Sequence, residues 1–180
     1  MNLLMKSILR FSRLLALMVC LACAVAHAAD KPATTPAEQA FERLKTLAGE
    51  WHGRVGDREK GPEATVVYRT TAGGSTVMET LFPGTPHEMV TMYFLEEGKL
   101  VLEHYCAAGN QPKMALTKKS TSDALDFNFI GGANISPRRD GHMHSARLRF
   151  ASKDALEAEW DFFKDGKKAD TKKFFLTRKS

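Results

Sequence analysis

A two-residue rhythm in hydrophobicity begins after Gly49 and holds almost to the C-terminus, and it constrains this chain more than any other feature. Alternation of period two places one set of side chains on each face of an extended strand. It predicts strands near 50–56, 63–71, 75–82, 87–95, 99–106, 113–119, 124–130, 142–151, 155–163 and 170–178. The separators are turn-formers: Ala72-Gly73-Gly74, Glu96-Glu97-Gly98-Lys99, Asp140-Gly141 and Asp165-Gly166. Short connections make successive strands pair antiparallel as a meander. About ten strands in one open sheet would be too wide for a chain of this length, whereas closure removes both edges and encloses an interior. The expected fold class is therefore all-β, an antiparallel up-and-down β-barrel of about ten strands with one N-terminal helix.

The helix is written into Pro36–Gly49. Phe41, Leu44 and Leu47 recur at spacings of three, Thr35 with Glu38 has the form of a capping box, and Gly49 is a stop. Upstream, Asp30 to Pro36 reads as linker. Residues 1–28 have the form of a secretory signal: Lys6, Arg10 and Arg13 precede an apolar run from Leu14 to Val25, and Ala26-His27-Ala28 is a small–x–small cleavage site. The run is short for a transmembrane helix, which needs roughly 20 apolar residues. Cys20 stands where a lipobox needs an aliphatic residue. The expected layout is signal peptide 1–28, linker 29–36 and barrel domain 37–180, in an exported protein, periplasmic or secreted, with no membrane span after cleavage.

Processing changes the charge. The whole chain carries +5, but the three signal cations leave with no acids, so the mature chain carries only +2. Nucleic acid is not an expected partner of so balanced a surface. The Lys164, Lys167, Lys168, Lys172 and Lys173 cluster reads as a solvated hairpin that discourages edge pairing. Cys20 and Cys23 also leave, so Cys106 has no intrachain partner and the exported domain folds without disulfides. With 43% hydrophobic and 26% charged residues, the composition is that of a globular domain, which excludes disordered and fibrous classes.

Alternation also assigns faces. Leu100, Leu102, His104 and Cys106 share one, and so do Leu156, Ala158, Trp160 and Phe162. His142, His144, Ala146, Leu148 and Phe150 are expected to share a third. Such inner faces describe an apolar cavity wall with histidines at its mouth. Asn110, after Gly109, and Asn134, after Gly131-Gly132, are candidate mouth residues, and Met92 is the methionine expected to line an adaptable wall.

Three stretches carry a family resemblance: Leu47-Ala48-Gly49-Glu50-Trp51-His52-Gly53; Phe82 to Met89 running on to His104-Tyr105-Cys106 and Gln111-Pro112; and Gly131-Gly132-Ala133-Asn134, His142-Met143-His144 and Trp160. On them the chain resembles exported lipocalin-like (calycin-type) β-barrels, and more distantly nitrobindin-type haem-binding barrels. The resemblance implies a barrel with a pocket, closed at its floor by Trp51 on the first strand beneath Arg178 on the last. It also brings in haem, through a histidine near the C-terminal strands, as an alternative ligand.

His142-x-His144 is the sharpest local feature, since an i/i+2 pair on a strand projects both imidazoles to one side. With His104 as a third nitrogen it makes a candidate divalent-metal set. Cys106 and His104 point in parallel from one strand and do not form a nucleophile–base pair. G-x-x-x-x-G-K-[ST], G-x-S-x-G, H-E-x-x-H and paired C-x-x-C do not occur in the sequence. The expected function is binding, as carriage or sequestration, of a small and largely apolar molecule inside the barrel. Its ligand-binding residues would be His104, Cys106, Asn110, Asn134, His142, His144, Met92 and Trp160. The alternative is a haem- or metal-binding barrel that uses one of those histidines, with enzymatic activity open to it.

Overall fold

A computed structural model describes residues 34–180; the expected signal peptide and the linker as far as Ala33 lie outside the described residues. Helix α1 (Pro36–Lys45) opens on the capping box. The Thr35 hydroxyl accepts from the Glu38 amide at 3.2 Å, and the Thr35 amide donates to the Glu38 carboxylate at 2.7 Å. Ala40, Phe41 and Leu44 form its buried face. The helix stops three residues earlier than Gly49 suggests, because Leu47 and Ala48 close tighter turns onto Leu44 and Lys45.

Ten strands follow: β1 (Gly49–Val55), β2 (Glu63–Thr71), β3 (Thr76–Leu81), β4 (Met89–Glu96), β5 (Lys99–Tyr105), β6 (Gln111–Leu116), β7 (Ala124–Ala133), β8 (His142–Ser152), β9 (Ala155–Lys164) and β10 (Lys167–Arg178). Each pairs antiparallel with the next, and β1 pairs with β10, so the sheet closes into a barrel. Glu97-Gly98 and Asp165-Gly166 turn with both residues at positive φ (49° and 77°; 52° and 70°), the hand that matches strand twist. At the closing seam, a Cβ on Gly53 would lie 1.8 Å from the Phe175 carbonyl oxygen, so only glycine lets β1 and β10 approach this closely.

The antiparallel order gives the barrel two distinct ends. Odd-numbered strands begin, and even-numbered strands finish, at the end where α1 leads into β1. There Leu44, Leu47 and Trp51 are buried as a floor. The other end gathers Val55, Leu81 and the first residues of β4 and β8. Between the two, Val66, Leu102, Met114, Phe127, Leu148, Leu156 and Leu176 are buried, so much of the interior is packed core rather than hollow.

Strand β8 departs from simple alternation. Met143 pairs with Phe162 and Ser145 with Asp161, which leaves His144 as an extra, bulged residue. The expectation that His142 and His144 share the face of Ala146 and Leu148 is therefore corrected. The bulge shifts parity, and Met143 takes the cavity position.

Candidate functional site

A polar row crosses four adjacent strands inside this apolar barrel. Tyr68 pairs in register with Glu79, Glu79 with Thr91, and Thr91 with His104, from β2 to β5. All four are buried. Tyr68 donates its hydroxyl to Glu79 Oε1 at 2.6 Å, and Tyr93, two residues beyond Thr91 on β4, donates to Oε2 at 2.9 Å. A carboxyl carried into an apolar interior is tolerated only with its oxygens satisfied, and here both are. Burial pushes the Glu79 carboxyl above its ordinary range, while the hydroxyls of Tyr68, Tyr93 and Thr91 pull it back. Burial, with the Glu79 charge beside them, drives both tyrosine hydroxyls well above theirs.

The row ends at His104, whose Nδ1 lies 2.9 Å from Thr91 Oγ1. Burial pushes this imidazole down to about 4, so it is neutral at neutral pH. Its ring packs against the indole of Trp160 on β9, with centroids 5.0 Å apart. Both residues line a cavity of about 280 Å³ toward the end opposite α1, walled by Leu81, Met89, Met143 and Phe174 with Glu63 and Lys172 also on its lining. Neither His104 Nε2 nor Trp160 Nε1 has a hydrogen-bond partner within the protein, and each residue is only 2% exposed. The cavity thus combines a mostly apolar wall with two buried rings that each keep one nitrogen without a protein partner.

The remaining candidate residues lie elsewhere. His142 spends Nδ1 on the Asp140 carbonyl at 2.9 Å and Nε2 on His144 Nδ1 at 3.1 Å. His144 stacks on Phe163 and Phe129, with centroids at 4.0 and 5.2 Å. Burial and the neighbouring His142 hold the His144 imidazole below its usual value. These rings build an aromatic cluster around the bulge. The three-histidine metal set is corrected accordingly: among the described residues, no group of three His, Cys, Asp or Glu side chains could hold a metal ion. Haem does not fit the histidines either. His142 has no free ring nitrogen, His144 is sandwiched, and the cavity beside His104 is much too small for a macrocycle.

Met92 alternates with buried Thr91 and Tyr93, so it faces away from the interior, opposite Met78 and Glu103. Cys106 is half-buried in the β5–β6 turn, where its amide donates to the Asn110 carbonyl. Asn110 is buried and ties that turn to the Gly141 carbonyl at 2.7 Å. Asn134 is exposed, holds a left-handed φ of 58° and donates to the Gln111 side chain at 2.8 Å. These residues organise loops and do not border the cavity. At the floor, Trp51 and Arg178 pair in register, with the guanidinium 4.3 Å from the indole.

A larger hollow, about 730 Å³, lies outside the barrel between α1 and the β6–β7 connection. The Thr117, Ser120 and Thr121 hydroxyls on its wall are engaged by backbone groups of the connection and of β7, so it offers less convergent chemistry than the cavity beside His104.

The rhythm alone did not single out Tyr68, Glu79 or Thr91. The available signal was Glu79, the one acid on the Val77–Leu81 face of β3. A charge on an otherwise apolar strand face marks either an edge or a buried network.

No protein-family model and no curated protein matches the chain. Among solved structures it is similar to a DUF3598-family protein of unknown function from Nostoc punctiforme, at 13% identity and a TM-score of 0.49. That match covers 75% of this chain and 48% of the other, so the chain spans about half that protein's length. It is also similar to Rv2717c from M. tuberculosis, at 20% identity and a TM-score of 0.49, covering 82% of this chain and all of that one.

Proposed function

We propose that this protein is an exported lipocalin-like barrel, periplasmic or secreted, that carries or sequesters one small, largely apolar molecule in the cavity beside His104 and Trp160. One observation carries the reading: His104 and Trp160, each with a buried ring nitrogen that has no protein partner, line a cavity whose other walls are apolar except for Glu63 and Lys172. Leaving such atoms unpaired costs roughly 1–3 kcal/mol each, and a ligand's polar end removes that cost on binding. The apolar body gains about 25 cal/mol per Å² taken out of water. The volume is about twice that of a roughly 150 Å³ cavity known to accept benzene, so the ligand has about a dozen non-hydrogen atoms. The helix and the Trp51–Arg178 floor close one end, so entry is from the other.

Native mass spectrometry of the protein isolated from its own cell envelope tests both parts. The expected result is a chain beginning at Ala29 that carries one organic molecule of about this size, released on denaturation. A chain that keeps residues 1–28 and stays in the cytoplasm overturns the export reading. No added mass, together with no thermal shift across a panel of small lipophiles, overturns the binding reading.

A further inference from the structure

We infer that this protein pairs with a second copy of itself through the outer face of β2 to β5, with Arg69 of each copy set against Glu103 of the other. The inference is independent of the cavity and starts from a contrast between two sides of the barrel wall. Across β7 to β10, the outward residues Asp126, Arg147, Glu159 and Lys173 stand in one register row of alternating charge. Ion pairs join Asp126 to Arg147 at 3.0 Å and Glu159 to Lys173 at 3.1 Å, and Arg149–Glu157 and Asp161–Lys168 repeat the pattern along the strands. That side settles its charges within the chain. The comparable row across β2 to β5 is Arg69, Met78, Met92 and Glu103. Period two puts Val67, Val90, Phe94 and Val101 on the same outward face, around the two methionines. Val101 is already buried between its register neighbours Phe94 and Ala115, while Met78, Val90, Met92 and Phe94 keep part of their surface in water.

Arg69 is exposed and Glu103 half-buried, and among the described residues neither side chain has a charged partner. Lys113, the register neighbour of Glu103, is taken by Glu96. A cation at one end and an acid at the other thus bracket two methionines, and the row is complementary to its own reverse. A two-fold axis lying in the contact plane, parallel to the strands and between Met78 and Met92, turns the row onto itself. Met78 then meets Met92, and Arg69 meets Glu103 twice. Facing sheets stack about 10 Å apart, a gap that an arginine and a glutamate span together. Methionine adapts its shape to whatever packs on it, and the valines and Phe94 add apolar area around it. Tyr105, 46% exposed at the end of β5, puts an amphipathic ring at the border. A bilayer would have to strip water from Arg69 and Glu103 without pairing either, and an acidic or a basic protein would match only one end. A second copy matches both.

The test is sedimentation velocity of the purified protein across the micromolar range, where a concentration-dependent dimer is expected. Glu103→Arg and Arg69→Glu each set like charges against one another twice, and each is expected to weaken dimerisation roughly tenfold or more. Mixing the two variants brings opposite charges together at both places. The mixture is therefore expected to form a heterodimer within about threefold of the wild-type affinity. Recovery on mixing separates a lost contact from a damaged fold, because two misfolded chains do not repair each other. A wild-type protein that stays monomeric throughout overturns the inference, and so does a monomer that instead floats with phosphatidylglycerol vesicles. A dimer that survives either charge reversal, or two variants that stay apart when mixed, overturns the pairing of Arg69 with Glu103 and with it this face.

Discussion

The guanidinium of Arg178 lies 4.3 Å from the ring of Trp51, and the two residues are register partners across the seam that closes the barrel. The same guanidinium donates to the carbonyls of Ala48 and Thr46, both at 2.7 Å, where α1 gives way to β1. One side chain thus ties the last strand to the first and satisfies the helix end. Lysine can replace the charge but not a fork that makes two such bonds over an indole. Arg178→Lys is therefore expected to lose nearly as much stability as Arg178→Ala, about 2 kcal/mol, read from urea midpoints at unchanged slope. A lysine variant as stable as wild type would reduce the contact to its charge.

Glu79 is the only acceptor seen for two buried tyrosine hydroxyls among the described residues. Glu79→Leu strands both, and the expected loss is about 3 kcal/mol. Adding Tyr68→Phe and Tyr93→Phe to the leucine variant removes the stranded groups, so the triple variant is expected to regain most of that loss. Denaturant titration of the single and triple variants decides the matter. A triple variant no better than the single would mean that the network's hydroxyls are not what Glu79 supports.

The barrel is legible because its evidence is local and repeated. All ten strands and the Glu97-Gly98 and Asp165-Gly166 turns follow from alternation and turn chemistry, and closure follows from counting strands. The site is less legible, for two physical reasons. A β-bulge is an extra residue with no sequence mark of its own, and at His144 it reverses the parity on which the two-histidine face depended. On β4, apolar residues occupy both faces, with Val90, Met92 and Phe94 alternating with Thr91 and Tyr93. Alternation therefore does not tell the inner face of β4 from the outer, and the polar Thr91, not the adaptable Met92, is the inward residue. His104 and Trp160 stand out only when their unpaired nitrogens are found beside one cavity.

The depressed His104 imidazole makes folding sensitive to acid. Its folded value is about 4 against an ordinary 6.5, with burial as the cause. Below pH 6.5 the unfolded chain takes up a proton that the folded chain refuses until about pH 4. Stability from this group is therefore complete above pH 6.5 and falls as pH drops toward 4, by about 3 kcal/mol in all. Glu79, raised by burial, acts in the opposite sense, its contribution present in acid and lost as pH rises through its folded value. The wild-type curve mixes the two, so the comparison that isolates His104 is wild type minus His104→Gln. That difference is expected to shrink steadily from pH 6.5 to 4 in chemical denaturation. A difference independent of pH would mean that the imidazole protonates in place without cost.

Whether the cavity is a packing defect or a retained site is decided by filling it. Leu81 is 3% exposed and borders the space, and Leu81→Phe adds apolar volume directly into it. In a fully packed core, such an enlargement costs about 1–3 kcal/mol through strained rotamers. Beside about 280 Å³ of free volume, the new ring instead gains contacts, and a stability increase of about 1 kcal/mol is expected. The same ring occupies the ligand's place, so thermal stabilisation by a small lipophile such as butylbenzene is expected to vanish in this variant while the melting temperature of the free protein rises. The opposed signs matter, because general damage lowers both quantities, whereas occupation of a binding cavity raises one and abolishes the other. A variant that is more stable and still stabilised by ligand would place the binding site somewhere other than beside His104 and Trp160.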